Sequence, residues 1–383
     1  MASPDGGPAR AAAIRTFLIA DIRGYTRFTA QHGDEVASRL ATKFAEIALD
    51  GVEAWGGKLV ELRGDEALGV FDSPRQALRA AVDLGSAFAD ETATEPALPL
   101  AVGIGLDIGE AVPVGDGYRG AALNLAARLC SVAGPGEVLA SEGLIRLVGP
   151  VEGLAYATLE PTTFKGYDEP IAAVRVEGSG TALGPSARGS APGSAPTSSP
   201  PPLAPELDPI VPLAGREPEL RWLGWHWRRA RHGHGRTLVL SGPPGIGKTR
   251  LAAELATIAH DGGATVAYRQ APRETVPPDV EALAQLPEPA LVVIDDLDAA
   301  ATTLAPDLER LAPAMADRAG LLLVTHRREA PSTVLALAER VAPSEQRRAL
   351  GPLEPAAVRE IAALYAGGAV DDLPLEELVA AIA

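Results

Sequence analysis

Two acids, an amide–guanidinium pair and a glycine-rich loop are the residues of this chain whose types and spacing can do chemistry. Asp21 ends the apolar run FLIA, in Asp21-Ile22-Arg23-Gly24, where a buried strand meets a turn. A carboxylate at the tip of a buried strand is rigidly aimed, because the backbone behind it cannot move. Taken alone, such an acid is more often a turn former or a helix cap. Asp65 occupies a second tip, where the runs LVEL and ALGVF are joined by the tight turn Arg63-Gly64-Asp65-Glu66. Two carboxylates on neighbouring strand tips are what a two-metal phosphoryl-transfer site requires, with the ions ~3.5–4 Å apart. Asn124 and Arg128 stand at i and i+4, so they share one helical face with Cβ atoms ~5–6 Å apart. The arginine fork suits phosphate oxygens. By spacing alone, an ordinary solvated face is the commoner meaning of that pair.

Residues 242–249, GPPGIGKT, follow the strand-like TLVLS and open a helical stretch, the context that a phosphate-cradling loop demands. Backbone N–H groups around Gly242, Gly245 and Gly247, together with the helix N-terminus, wrap the phosphates. Lys248 reaches the β/γ oxygens and Thr249 binds Mg2+. Asp295, at the end of ALVVI, fits the carboxylate on the Mg2+ side, and Asp296 can orient a water.

The elements that must position these residues follow from periodicity. Residues 34–50 place Val36, Leu40, Phe44 and Ile47 at helical spacing, and Gly56-Gly57 breaks the chain before a hairpin over 58–71. Residues 73–90 form a second helix, opened by Ser73-Pro74 as N-cap and N1. Residues 98–114 read as two strands split at Ile108-Gly109, and 118–132 as a third helix. Short strands then run to about Val176. This order predicts an α+β sandwich with helices on one face. Residues 178–209, rich in Ser, Pro, Gly and Ala, have nothing to bury and read as a flexible linker spanning ~30 Å. From residue 210 a second domain begins. Its 217–231 helix carries Trp222, Trp225 and Trp227 beside a solvated basic face. His232-Gly233-His234 reads as a loop, with no third metal ligand evident. The buried runs TLVLS, ALVVI and LLLV alternate with helices, which predicts a parallel α/β sheet with helices on both faces.

Bulk properties narrow the function classes. A chain of 383 residues suits two to three domains, and 46% apolar residues can build proper cores. A formal charge of −16 argues against a non-specific nucleic-acid or acidic-membrane binder. A polyphosphate site must then make its own positive field from metal ions, loop amides and single basic residues. The single cysteine, Cys130, leaves no internal disulfide and suits a reducing compartment; it reads as helix packing and not as a nucleophile. The N-terminus shows no apolar core with a cleavage site, and no apolar segment reaches the ~18 residues that cross a bilayer, so a cytoplasmic protein is expected.

Three segments, FLIADIRGYTRF, ELRGDEALGVF and GAALNLAARL, in this order, closely resemble the catalytic domain of class III adenylate/guanylate cyclases. The resemblance covers roughly residues 16–176, including the Phe164-Lys165-Gly166 step, and sets a domain over 14–177. It implies a ferredoxin-like α+β fold. It also implies that Asp21 and Asp65, with the Ile22 carbonyl, ligate two Mg2+ or Mn2+ ions. Asn124 would orient the ribose and Arg128 would stabilise the pentacoordinate phosphate, as the 3′-hydroxyl of ATP or GTP attacks the α-phosphate and releases pyrophosphate. Sites in this family are completed across a dimer, which implies a homodimer with two sites. Base recognition departs from the family. Glu61 stands where adenylate members carry Lys and resembles guanylate cyclases, whereas Gly117 has no side chain where Asp or Thr is usual. A catalytically weak cyclase-like module for dimerisation or sensing is the alternative. A diguanylate cyclase turn fits Arg63-Gly64-Asp65-Glu66-Ala67 poorly and leaves Asn124 and Arg128 without a role.

Residues 210–383 resemble the STAND class of AAA-like P-loop signalling ATPases through the Gly215-Arg216-Glu217 opening, the Asp295-Asp296 strand end and Thr325-x-Arg327. The resemblance implies ATP–Mg2+ as ligand, Arg327 as γ-phosphate sensor, slow ATP hydrolysis and control of the first domain in intracellular signal transduction. Such proteins usually continue into winged-helix and superhelical repeats, so either further C-terminal sensor or effector domains are missing from this chain or the sensor is absent. Neither direct nucleic-acid binding nor membrane insertion is expected.

Overall fold

The apolar run ahead of Asp21 is the central strand of the first unit, β1 (Ala13–Ile22). After it come α1 (Tyr25–His32), α2 (Asp34–Ala54), β2 (Lys58–Arg63), β3 (Glu66–Phe71), α3 (Pro74–Thr94) and β4 (Val102–Val114). The unit continues through β5 (Gly117–Arg119), α4 (Ala121–Val132), β6 (Val138–Ser141), α5 (Glu142–Val148), β7 (Leu154–Thr158) and β8 (Ala173–Gly178). The computed structural model describes residues 13–115, 117–163, 170–178, 202–207, 213–271, 280–299 and 301–365. It divides into two units, Met1–Gly189 and Ser190–Ala383. Phe164-Lys165-Gly166 and most of the stretch read as linker lie outside the described residues.

The sheet of the first unit runs β2-β3-β1-β4-β6-β8-β7, with β5 hairpinned onto β4. β1 is antiparallel to both β3 and β4, and β2 is antiparallel to β3. Helices on the β1-to-β2 and β3-to-β4 crossovers then give the ferredoxin-like order, two βαβ units split by one another's strands. α2 and α3 lie together on one side, where the Phe44 and Phe88 rings stack at 5.4 Å.

Helices cover both faces of this sheet, not one. β4 and β6 are parallel neighbours joined through α4, and such a crossover must pass over a face. α4 takes the side opposite α2 and α3, setting Ala122, Ala126 and Cys130 against Phe17, Ile19, Leu68 and Val70. β4 is a single strand that runs straight through Ile108-Gly109. Glycine there marks a close approach and not a turn: a Cβ on Gly105 would lie 2.1 Å from the Cys130 amide nitrogen, and one on Gly109 would lie 3.0 Å from Ala122 Cβ. Tyr118 belongs to β5 and not to the helix, with its ring edge-on to Phe17 at 5.8 Å. Gly105→Ala is expected to push α4 off the sheet and cost roughly 1–3 kcal/mol, as overpacking does. A thermal melt would report this as a fall of several degrees; an unchanged melting temperature would show that α4 does not rest on Gly105.

The second unit begins within the linker stretch. Pro205–Leu207 forms a 3-10 turn and Leu207 is fully buried, so the end of that stretch does have something to bury. Then follow α6 (Glu217–Arg231), β9 (Arg236–Ser241), α7 (Lys248–Asp261), β10 (Thr265–Gln270), α8 (Val280–Ala284) and β11 (Ala290–Asp295). The described part closes with α9 (Ala301–Ala316), β12 (Gly320–His326), α10 (Ser332–Val341), β13 (Arg347–Ala349) and α11 (Pro355–Tyr365). Its sheet is parallel throughout, in the order β10-β11-β12-β9-β13. Every residue of β11 and β12 is buried, as expected for strands covered on both faces. Leu311 and Met315 of α9 and Leu337 of α10 pack on Val239, Val292 and Val324. α6 and α7 meet the other face, and α6 buries Trp222, Trp225 and Trp227. No helix among the described residues is long and apolar enough to cross a membrane.

Candidate functional sites

β1 and β3 run side by side to their tips, in the register Asp21↔Glu66. The Ile22 amide donates to the Asp65 carbonyl at 3.0 Å, so the tip carrying Asp21 and the tip carrying Asp65 are one hydrogen bond apart. Both acids are half-buried. Asp21 continues the Phe17–Ile19 side of the strand, the side on which α4 lies. Burial raises the pKa of Asp21 above the usual carboxylate value; Arg23 opposes the rise, and the charges of Asp65 and Glu66 reinforce it. Crowded carboxylates of this kind are relieved by a cation.

Arg23 supplies one positive charge. Its Nη1 donates to Asp21 Oδ2 at 2.6 Å, and its Nη2 donates to the Cys130 carbonyl and lies 3.4 Å from the Cys130 sulfur. Burial pushes the Cys130 thiol up to about 12, so this cysteine packs and does not attack. Among the described residues no three acidic, histidine or cysteine side chains gather closely enough to enclose a metal ion. That set still fits Mg2+, which is commonly held by one or two carboxylates with water and substrate phosphates completing its shell. Asp21 and Asp65 would supply two carboxylates of such a set.

Asn124 and Arg128 are exposed, on the side of α4 away from Ala122, Ala126 and Cys130. The chain thus brings Asp21 and Asp65 together and turns Asn124 and Arg128 away from them. Glu61 on β2 is paired with Arg63, two residues along the same side of the strand. Gly117 opens β5 with room around it, since an added Cβ would meet only the Val114 carbonyl oxygen, at 3.9 Å.

In the second unit, Gly245 (φ 78°) and Gly247 (φ 102°) hold the left-handed conformations that let the loop wrap. Gly245, Gly247, Lys248, Thr249, Asp296 and Arg327 line one cleft of about 340 Å³. Gly242 heads the loop, where its bare Cα leaves room for Ile246. Lys248 Nζ donates to the Gly242 and Pro243 carbonyls, each at 3.0 Å. The fully buried Asp295 accepts from the Thr249 hydroxyl at 2.7 Å, from the Tyr268 phenol at 3.1 Å and from the Thr325 hydroxyl. Asp296, at φ 55°, accepts from the Gln270 amide at 3.3 Å. Both oxygens of Asp298 accept from the Arg327 backbone N–H, at 2.9 and 3.0 Å. Tyr268, Gln270 and Asp298 escaped the sequence reading, because no motif marks them. The one available signal was a polar pair at i and i+2 on β10, beside the strand that carries the acids.

Residues 212–345 match the AAA ATPase domain family. The chain is 36% identical over 154 residues to an uncharacterised protein of Mycobacterium tuberculosis (strain H37Rv), covering 40% of this chain and 39% of that one. It is 36% identical over 132 residues to an adenylate cyclase of Streptomyces coelicolor, covering 33% of each chain. The crystal structure of the guanylyl cyclase Cya2 is similar at 25% identity and a TM-score of 0.40, over 45% of this chain and 95% of that one. The chain spans about two fifths (39%) of the length of the mycobacterial relative it matches. It therefore joins a unit similar to an adenylate cyclase to a segment that matches an AAA ATPase domain.

Proposed function

We propose that the first unit is a cytoplasmic purine-nucleotide cyclase, converting ATP or GTP to the 3′,5′-cyclic nucleotide and pyrophosphate as a homodimer. The second unit is an ATP–Mg2+-binding STAND-type switch that governs it in signal transduction. One observation carries this reading: Asp21 and Asp65 meet at adjacent tips, while Asn124 and Arg128 face outward on α4. A site that uses all four needs two chains, and a two-fold dimer supplies two such sites.

Divalent ions held by Asp21, Asp65 and the Ile22 carbonyl would neutralise the triphosphate and make the attacking hydroxyl more acidic. Asn124 orients the ribose so that its 3′-oxygen stands in line with the α-phosphorus. Arg128, through its fixed fork, stabilises the charge that builds on the phosphoryl oxygens. In the second unit Lys248 would hold the β/γ oxygens, and the Thr249 hydroxyl and Asp295, hydrogen-bonded to each other, would hold the Mg2+ that neutralises them. Asp296 orients a water and Arg327 reads the γ-phosphate. The pairing of Glu61 with Arg63 and the bare Gly117 favour a second reading, a weak cyclase-like module that dimerises and senses nucleotide.

Product analysis separates the two. The purified chain, given Mn2+ or Mg2+ with either triphosphate, is expected to yield cyclic nucleotide and pyrophosphate on chromatography. Asp21→Ala is expected to lower the rate by about 10²-fold or more. No cyclic product from either triphosphate, with Asp21→Ala indistinguishable from the wild type, would leave only the second reading.

A further inference from the structure

Arg23 is held as if built in. Nη1 grips Asp21 Oδ2 at 2.6 Å while Nη2 is anchored on the Cys130 carbonyl, in the last turn of α4. That carbonyl belongs to the negative end of the helix, which favours a cation there independently of Asp21. Beneath the guanidinium, β4 is bare: a Cβ on Gly103 would lie 2.3 Å from Nη2 and 2.6 Å from Nε. Only 21% of the Arg23 side chain remains exposed, against 27% for Asp21. A guanidinium stays charged at any working pH. Asp21 is therefore neutralised, before any substrate arrives, by a cation that cannot titrate away.

We infer that Arg23 is the resident counter-cation of the acidic site, which a divalent ion must displace from Asp21 before the site can form. The inference rests on Asp21 being a metal ligand. Because the second arm of the fork keeps its hold on Cys130, Arg23 can release Asp21 without leaving its slot. It remains close, and its charge opposes the incoming ion. A single and a double positive charge ~5 Å apart in a water-like dielectric repel enough to weaken binding about tenfold. Arg23 thus acts as a positioning residue that sets the metal concentration at which the cyclase site assembles. It also ties Asp21 to the helix whose outer face carries Asn124 and Arg128.

Mn2+ titration of the full chain, followed by electron paramagnetic resonance of the free ion, tests this without turnover. Only binding that disappears in Asp21→Ala is counted. Arg23→Gln should bind this Mn2+ about tenfold more tightly than the wild type, and Arg23→Lys, which keeps the charge, should stay within about threefold. If Arg23→Gln fails to fold, Arg23→Met, which also removes the charge and keeps an unbranched chain in the slot, should tighten binding in the same direction. Asp21-dependent binding that is unchanged or weaker in the folded variants overturns the role of Arg23 and leaves the metal site standing. An absence of Asp21-dependent binding in the wild type and in every variant overturns both.

Discussion

Equimolar Asp21→Ala and Arg128→Ala chains, each close to inactive alone, regain about a quarter of wild-type cyclase activity once mixed and allowed to exchange partners. The recovery follows from the geometry of α4. Ala122, Ala126 and Cys130 fasten it to the sheet beside Asp21, which leaves Arg128 on the outer side. A site containing both residues takes Asp21 from one protomer and Arg128 from its partner. In a mixed dimer one site then holds both substitutions and the other holds neither. Random exchange makes about half of the dimers mixed, each with one intact site of two, hence the quarter. Each single variant is expected to lose about 10²–10³-fold: Arg128→Ala removes a donor aimed at developing charge, and Asp21→Ala removes a ligand of the ions that neutralise that charge. If mixing restores nothing while both variants stay folded and dimeric, Asp21 and Arg128 act within one chain and the two-chain site is wrong.

Lys248→Ala should cost the second unit one to two orders of magnitude in ATP affinity, as expected for a lost hydrogen bond between charged groups. Lys248 is buried, and its ammonium donates to the Gly242 and Pro243 carbonyls of its own loop. ATP offers the ammonium phosphate oxygens instead, and alanine can answer neither set of acceptors. The difference is large in a melt. ATP at 100 times its Kd stabilises the wild-type unit by about 2.7 kcal/mol, whereas at the same concentration a variant with 100-fold weaker binding gains only about 0.4 kcal/mol. Cyclase rates measured on the same two proteins then test the coupling. Equal rates with and without the lysine, at an ATP concentration that fills the wild-type loop and not the variant's, would show that the first unit ignores the state of the second.

The places of the candidate residues on their strands and turns were legible because their motifs are local. The run FLIA followed by Asp21, the Arg63–Glu66 turn and the loop of residues 242–249 each combine a strand, a turn residue and a functional side chain within a few positions. The strand ends carrying Asp295 and Arg327 were legible for the same reason. The errors fell where an element depends on a distant neighbour. Ile108-Gly109 looked like a break because glycine usually is one, yet it lies inside β4 where α4 comes close. The face of α4 against Phe17, Ile19, Leu68 and Val70 is Ala122, Ala126 and Cys130, and small residues leave little mark in a hydrophobic pattern, so a sheet covered on both faces read as covered on one. Leu207 lies in the proline-rich run LAPELDP, where its burial against the second unit had no periodic signal.

By itself the sequence determined which backbone each segment adopts and which side chains are chemically able to act, since propensity, turn chemistry and side-chain alternation act over a handful of residues. Folding alone decided which of those side chains share a space. Arg23 meets Cys130 across 107 positions, Asp298 fixes Arg327 across 29, and α4 turns Asn124 and Arg128 away from the acids of its own chain. Such pairings come from burying apolar faces against one another, which sets the rotation of each helix and the register of each strand, and no short stretch of sequence records that choice.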